Sequence, residues 1–122
     1  MHFRQIVRVE SGKVVVDECR YIYSLSDNPD DEAKWLFRYD YSITPDKMVP
    51  YAHIHLNATS SAREDLRKIH FPTGRLSIEQ ILAHLICERG TSPKNENWFE
   101  ILAESHKGFL KRRQDLELGL FP

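Results

Sequence analysis

The segment YAHIHLNAT, residues 51–59, places two histidines two positions apart in a stretch that alternates polar and apolar residues. Alternation with a period of two is typical of a β-strand, so His53 and His55 are predicted to project from one face of a sheet, about 7 Å apart. Imidazole titrates near neutrality, and two imidazoles can supply a general base and a general acid. Cleavage of RNA by its own 2′-hydroxyl needs such a pair and a cation for the phosphate, but no metal.

The segment WLFRYDYS, residues 35–42, offers the other groups that such a site needs. Arg38 and Asp40 share one face of this predicted strand, Arg38 as a phosphate ligand and Asp40 as the acceptor that fixes a histidine tautomer. A shift of one residue in the strand register would place Phe37 and Tyr39 beside the histidines instead. Tyr39 is also a candidate for stacking on an RNA base.

A further group of candidates lies in HFPTGR, residues 70–75. Pro72 and Gly74 set a turn there, and the helix predicted after it has an N-terminus that favours an anion. His70 and Arg75 are therefore predicted to bind the substrate. The alternative is a purely structural role: any sharp turn before a helix uses such a proline and glycine, and Arg75 is then solvated.

Two other interpretations of the histidine pair stay open. A pair of strand-borne histidines can be structural or solvent-facing and do no chemistry. Imidazoles two residues apart can also share a metal ion, with His70, His84 or Asp40 completing the ligand set. Because no third ligand stands at a diagnostic spacing, the sequence favours a site without metal or cofactor.

The segments that must position these residues form an α+β pattern. HFRQIVRVE and KVVVDECRYIYS flank a turn at Gly12 and predict a hairpin, which the strands containing Arg38 and His53 follow. The sequence thus predicts a four-stranded, mostly antiparallel meander. Ile54, Leu56 and the valines of the hairpin are expected to face the core, and the histidines the solvent.

After residue 59 the apolar period becomes helical. SSAREDLRKI predicts a short charged helix that begins near Ser60. SIEQILAHLICERG predicts a longer helix, with Ser77 and Gln80 in capping-box spacing and Gly90 as its stop.

A second long helix is predicted from Ser92 as N-cap and Pro93 at the first helical position, continuing past Gly108. We expect both long helices to pack on one face of the sheet. The whole chain, 1–122, is then a single α+β domain with a sheet (1–59), a helical part (60–117) and a tail (118–122).

Composition restricts the class of protein. The 17 lysines and arginines nearly balance the 18 acidic residues, so an RNA partner must be bound by a local patch. Cys19 and Cys87 stand far apart and outside any zinc spacing, which predicts reduced thiols. The N-terminal MHFRQIVRVE has the pattern of neither a signal peptide nor a membrane anchor. We therefore expect a cytoplasmic protein with no membrane partner.

WLFRYDYS and YAHIHLNA resemble segments of a group of small bacterial proteins of this length, the TumE-type toxins of toxin–antitoxin pairs. The resemblance rests on an aromatic-Arg-Tyr-Asp strand followed by a histidine-rich strand, here Phe37, Arg38, Tyr39, Asp40, His53 and His55. HFPTGRLSIEQILAHLI is similar to a turn-and-helix segment of related uncharacterised proteins. The chain departs from the pattern in having only two clustered histidines and a longer loop, Ile43 to Pro50.

This resemblance implies a growth-inhibiting toxin that acts on RNA and is neutralised by a cognate antitoxin. The leading prediction is a metal-independent endoribonuclease with His53, His55, Arg38 and Asp40 as its catalytic set. One alternative is a non-catalytic interaction module or antitoxin-like partner, because the aromatic strand from Trp35 to Tyr41 could favour docking or a homodimer if its face is uncovered. The other alternative is a metal-dependent hydrolase.

Overall fold

The computed structural model describes residues 1–46, 48–58 and 65–112 of the chain. They divide into two compact units, Met1–Arg75, which contains a β-sheet, and a unit from Leu76 onwards, which contains two α-helices. The predicted α+β class is therefore confirmed. The predicted tail, 118–122, lies outside the described residues. No helix in the described ranges is long and apolar enough to cross a membrane.

The first unit is an antiparallel meander in which each strand pairs with its neighbours in the chain. Its strands are β1 (His2–Glu10), β2 (Lys13–Ser24), β3 (Trp35–Ser42), β4 (Ala52–Leu56) and β5 (Phe71–Pro72). The prediction of four strands is wrong, because β5 adds a fifth strand at the edge beside β4. Two residues, one of them a proline, carry no periodicity from which a strand can be predicted.

The β1–β2 hairpin forms at the predicted turn. Ser11 and Gly12, its two central residues, both have positive φ, 50° and 73°. Such two-residue turns match the right-handed twist of the strands they join, and glycine adopts positive φ without steric cost.

The valines next to the hairpin turn do not form the apolar core that the sequence predicts. Val9 and Val14 lie opposite each other beside the turn and are 73% and 65% exposed. The best-covered side chains lie in the middle of the sheet instead. Tyr39 of β3 is fully buried, and its ring stacks on Tyr21 of β2 with 5.5 Å between ring centres. Both tyrosines belong to strands that are paired on each side, whereas β1 is an edge strand.

The prediction that Ile54 and Leu56 form the buried face of β4 is wrong. His53 and His55 are only 7% and 4% exposed, whereas Leu56 is 39% exposed and Ile54 is half-buried. The cause lies in the segments around positions 50 and 67, whose backbone carbonyls bond to the two rings. The polar face of β4 is thus covered by hydrogen-bonded backbone.

The helix predicted near Ser60 is described only at its end. There, Leu66–Lys68 form a single 3-10 turn, and the Asp65 side chain accepts a hydrogen bond from the Arg67 N–H. The start of that predicted helix lies outside the described residues.

In the second unit, helix α1 (Ile78–Arg89) forms as the sequence predicts. The Ser77 hydroxyl accepts a hydrogen bond from the Gln80 N–H, and the Gln80 side chain accepts one from the Ser77 N–H, so the capping box is complete. Gly90 ends the helix in the left-handed conformation, with φ of 73°.

Helix α2 (Trp98–Arg112) begins later than predicted. Ser92 and Pro93 are not helical, so the prediction of an N-cap at Ser92 is wrong. The Asn95 side chain accepts a hydrogen bond from the Asn97 N–H, and its carbonyl accepts one from the Trp98 N–H. This local turn competes with the helix and delays its start. The helix continues through Gly108, as predicted.

Candidate active site

The strand register brings together the polar residues that the sequence singles out. Arg38 lies opposite His55 and Asp40 opposite His53 in the β3–β4 pair, and Arg20 of β2 lies opposite Asp40. Directly opposed residues project from the same face of a sheet, so these five side chains share one face. The shifted register, which would place aromatic residues beside the histidines, does not occur.

A third imidazole joins the pair. His70, just before β5, has its ring centre 4.7 Å from that of His53 and 4.7 Å from that of His55, and the pair themselves are 4.9 Å apart. One nitrogen from each ring lies within 4.8 Å of the other two. Because His70 is exposed while the other two are buried, it marks the open side of the cluster.

Hydrogen bonds fix which nitrogen of each buried ring carries a proton. Nδ1 of His53 lies 3.0 Å from the Pro50 carbonyl oxygen, and Nδ1 of His55 lies 2.8 Å from that of Arg67. A carbonyl oxygen can only accept, so each Nδ1 donates its N–H, and each neutral ring keeps a lone pair at Nε2.

The two Nε2 atoms point toward the same carboxylate. Each lies 3.6 Å from Oδ2 of Asp40, which is too long for a hydrogen bond. Nε2 of His55 is buried and has no hydrogen-bond partner among the described residues. A buried polar atom without a partner is rare, and it points to a ligand.

Two arginines hold the carboxylate. Nε of Arg20 donates to Oδ1 of Asp40 at 2.8 Å, and Nε of Arg38 donates to Oδ2 at 2.9 Å. Burial by itself would raise the pKa of Asp40, but its interaction with His53 and the charges of Arg38 and Arg20 hold that pKa well below its ordinary value. Within the described ranges neither guanidinium makes a hydrogen bond through its Nη atoms, so these atoms are available to a ligand.

The surroundings of His55 favour its neutral form, which has a lone pair at Nε2. Burial, and then the positive charge of Arg38, lower the pKa of His55 to about 4. At neutral pH this ring is uncharged. It can accept a proton or bind a metal ion, but it is a poor proton donor.

These groups line an open pocket of about 320 Å³ on the histidine face of the sheet. Its lining includes three guanidinium groups and three carboxylates, those of Arg4, Arg20, Arg38, Glu18, Asp40 and Asp46. The pocket is therefore polar with balanced charge. An anionic ligand must be held by specific arginines, because the pocket has no overall positive field.

Two of the predicted substrate-binding residues do not line this pocket. Tyr39 is buried at the Tyr21 stack and lies opposite Ile54, on the other face of the sheet. Arg75 instead has its guanidinium 4.4 Å from the centre of the Tyr41 ring. Neither is among the described residues that line the pocket.

Sequence reasoning missed Arg20 and the two carbonyls that orient the histidines. Glu18 and Arg20 stand two residues apart on β2 and therefore share one face of the strand, and both line the pocket. This spacing is visible in the sequence, but only the register of the β2–β3 pair shows that Arg20 meets Asp40.

No family model, curated protein or solved structure matches this chain.

Proposed function

We propose that the protein cleaves phosphodiester bonds in RNA at the pocket that contains His53, His55 and His70. The observation that carries this proposal is the convergence of three imidazoles beside a carboxylate that two arginines hold. Cleavage needs a lone pair or a metal ion to activate a hydroxyl group, and cations to bind the phosphate. The imidazole rings supply the lone pairs. The guanidinium groups of Arg20 and Arg38 are the cations, and their Nη atoms can donate hydrogen bonds to the phosphate.

In the proposed reaction the 2′-oxygen of a nucleotide forms a bond to phosphorus while the bond from phosphorus to the 5′-oxygen breaks. The 2′-hydroxyl proton leaves for a base, and the 5′-oxygen takes up a proton as it departs. The reaction consumes no water or other reactant. Its products are a 2′,3′-cyclic phosphate and a 5′-hydroxyl end.

The geometry favours a different division of roles from the acid and base pair that the sequence suggests. His55 is neutral at pH 7 and is therefore suited to accept a proton or to bind a metal ion, and not to donate a proton. Burial also lowers the pKa of His70, so the leaving oxygen is better supplied with a proton by water at the open side of the cluster.

The resemblance to TumE-type toxins leads us to propose a biological role for this cleavage. The protein would inhibit growth in the bacterial cytoplasm and would be neutralised there by a cognate antitoxin. Inducible expression in bacteria, with and without the neighbouring small gene, tests this role. Growth arrest that the neighbouring gene relieves is expected, and normal growth with soluble protein would contradict it.

The enzymatic proposal is tested by RNA cleavage with the purified full chain. We expect His53→Gln and His55→Gln each to lower the cleavage rate about 10²-fold or more, since acid–base groups contribute factors of that size. Arg38→Ala should weaken RNA binding. Arg8→Ala is the matched control, because Arg8 is an exposed arginine of the hairpin that bonds to Asp17 and Glu10.

The chemistry of the ends provides a second readout. An RNA with a single 2′-deoxynucleotide at the cleavage position should remain intact, and products should carry 5′-hydroxyl ends. A folded wild-type protein that cuts no RNA, or histidine variants that cut as fast as wild type, would refute the proposal.

A second candidate function is a non-catalytic interaction module. The sequence-based reason for it fails, because Trp35, Tyr39 and Tyr41 are buried. A different observation favours it: β1 is an edge strand with exposed apolar side chains, including Phe3 and Val9. Exposed edges of this kind can pair with another chain.

The interaction module is tested by light scattering and by capture of the neighbouring gene product. A homodimer or a tight complex that Val9→Lys weakens, together with absence of RNA cleavage, would favour the module over the enzyme.

A further inference from the structure

We infer that His53, His55 and His70 bind one divalent transition metal ion, and that Zn²⁺ suits the site best. One nitrogen from each ring lies within 4.8 Å of the other two. In a tetrahedral zinc site with bonds near 2.1 Å, ligand nitrogens are about 3.4 Å apart. Binding must therefore draw the nitrogens together by up to roughly 1.4 Å, and His70 is the one of the three rings whose side chain is exposed.

The two buried rings are already oriented as metal ligands are. A histidine that binds a metal through one nitrogen typically donates the other N–H to a carbonyl or a carboxylate, which fixes the tautomer. His53 and His55 both donate Nδ1–H to backbone carbonyls. A purely structural role for the two histidines does not require both Nε2 lone pairs to face the same point, beside Oδ2 of Asp40.

The unpartnered nitrogen of His55 is an independent sign of a ligand. Its Nε2 is buried and makes no hydrogen bond to any described residue. Leaving such an atom unpaired destabilises a protein, because the atom has lost its hydrogen bond to water. A metal ion bonded to Nε2 would remove that destabilisation.

Asp40 would place a negative charge beside the bound cation, where it offsets part of the positive charge of Arg20 and Arg38. Its Oδ2 lies 3.6 Å from both Nε2 atoms, so a cation bound by them would sit beside a carboxylate. The bonds from Arg20 and Arg38 hold this carboxylate in place.

The ligand set points to the kind of ion. Imidazole nitrogens suit zinc, copper, nickel and iron, and they are poor ligands for magnesium and calcium. Three protein nitrogens leave the fourth position of a tetrahedral Zn²⁺ for water or a substrate oxygen, as catalytic zinc sites require. The catalytic use of this metal rests on the proposed function: bound there, it would stabilise charge on a phosphate oxygen and lower the pKa of a bound hydroxyl.

The experiment measures Zn²⁺ binding to the chelator-treated, dialysed full chain by titration calorimetry. We expect one ion per chain, and we expect His70→Gln to weaken the affinity at least about tenfold. His70→Gln is the decisive variant because the residue is exposed and its loss should leave the fold intact, which circular dichroism checks. His2→Gln is the matched control, since His2 bonds to the Ser26 carbonyl outside the cluster.

Cobalt provides a readout that does not depend on activity. Co²⁺ bound in a tetrahedral site with nitrogen ligands absorbs visible light, and this absorption should appear with wild type and His2→Gln but not with His70→Gln. Absence of stoichiometric Zn²⁺ binding, or equal affinity in wild type and His70→Gln, would overturn the inference.

The failure of this inference can be told apart from failure of the proposed function. RNA cleavage that survives chelation in a chain that binds no Zn²⁺ would overturn the metal site and leave the ribonuclease standing. One Zn²⁺ per chain without any RNA cleavage would support the metal site and refute the ribonuclease.

Discussion

Two backbone carbonyls determine the chemistry available to His53 and His55. The alternation of polar and apolar residues in β4 predicts that both rings share a face, and the register bears this out. The alternation does not say which nitrogen faces the pocket. That depends on the Pro50 and Arg67 carbonyls, which lie in segments whose path no local pattern in the sequence specifies.

Asp40 is the residue whose loss should affect the pocket most. Asp40→Asn removes the charge that Arg20 and Arg38 share, and it leaves two guanidiniums close together without a counter-charge. Since Arg20 is partly exposed, we expect a moderate loss of about 1–3 kcal/mol in the free energy of unfolding, measured by urea denaturation.

Asp17→Asn is the control for this prediction. Asp17 bonds to a single arginine, Arg8, and its side chain is more exposed than that of Asp40, so its loss should cost less than the loss of Asp40. Equal costs for the two variants would show that Asp40 does not organise the pocket.

The two cysteines should differ sharply in reactivity. Burial raises the pKa of Cys19 to about 11, although a hydrogen bond from Tyr21 partly opposes this, so at pH 8 the thiol is protonated and covered. Cys87 is exposed. Because the thiolate is the reactive form, iodoacetamide at pH 8 should label the native protein once, at Cys87, and the denatured protein twice, as mass spectrometry can show.

Cys87→Ser provides the control for labelling, since its native form should take up no label. Rapid labelling of Cys19 in that variant would contradict the burial of β2 at this position.

At the scale of single elements, capping residues predict the ends of a helix where no neighbouring turn competes for the same backbone groups. Ser77, Gln80 and Gly90 specify both ends of α1, because each bond of the capping box and the left-handed stop lies within a few residues. The same kind of signal fails at Ser92. There, the Asn95 turn competes with the helix, and α2 begins only at Trp98.

This contrast gives a matched pair of substitutions. Ser77→Ala removes the helix cap and also the 2.9 Å hydrogen bond between Ser77 Oγ and His106 Nδ1. We expect it to lower the free energy of unfolding by about 1–2 kcal/mol. Ser92→Ala should change it by less than about 0.5 kcal/mol, because Ser92 is exposed and caps nothing. Chemical denaturation followed by circular dichroism measures both.

A larger effect from Ser92→Ala than from Ser77→Ala would mean that α2 begins where the sequence alone predicts.

At the scale of the whole molecule, the pocket depends on contacts between residues far apart in the chain. Three successive strands contribute Arg20, Asp40 and His53. No local sequence pattern predicts that these three side chains lie close together. From alternation, the sequence predicts four strands and the face of β3 that carries Arg38 and Asp40. It does not predict β5, and therefore it does not predict that His70 returns to the histidine pair.

The same reason explains the error about burial in β4. An apolar residue such as Leu56 is expected inside and a histidine outside when only local pattern is considered. The histidines become the buried members because the loop segments on either side of β4 cover them, and backbone carbonyls of these segments accept hydrogen bonds from their Nδ1–H groups. Polar residues can be buried when their hydrogen bonds are satisfied, which is a property of the assembled fold.

The most direct test of the site measures which ring nitrogen of His53 and His55 carries the proton. Nuclear magnetic resonance of the ¹⁵N-labelled, metal-free chain at pH 8, correlating the ring carbon-bound protons with both nitrogens, distinguishes the two neutral tautomers. We expect both rings to be protonated at Nδ1 and to present an unprotonated Nε2. A proton on Nε2 of either ring would contradict the convergence of lone pairs on which the proposed catalytic site and the proposed metal site both depend.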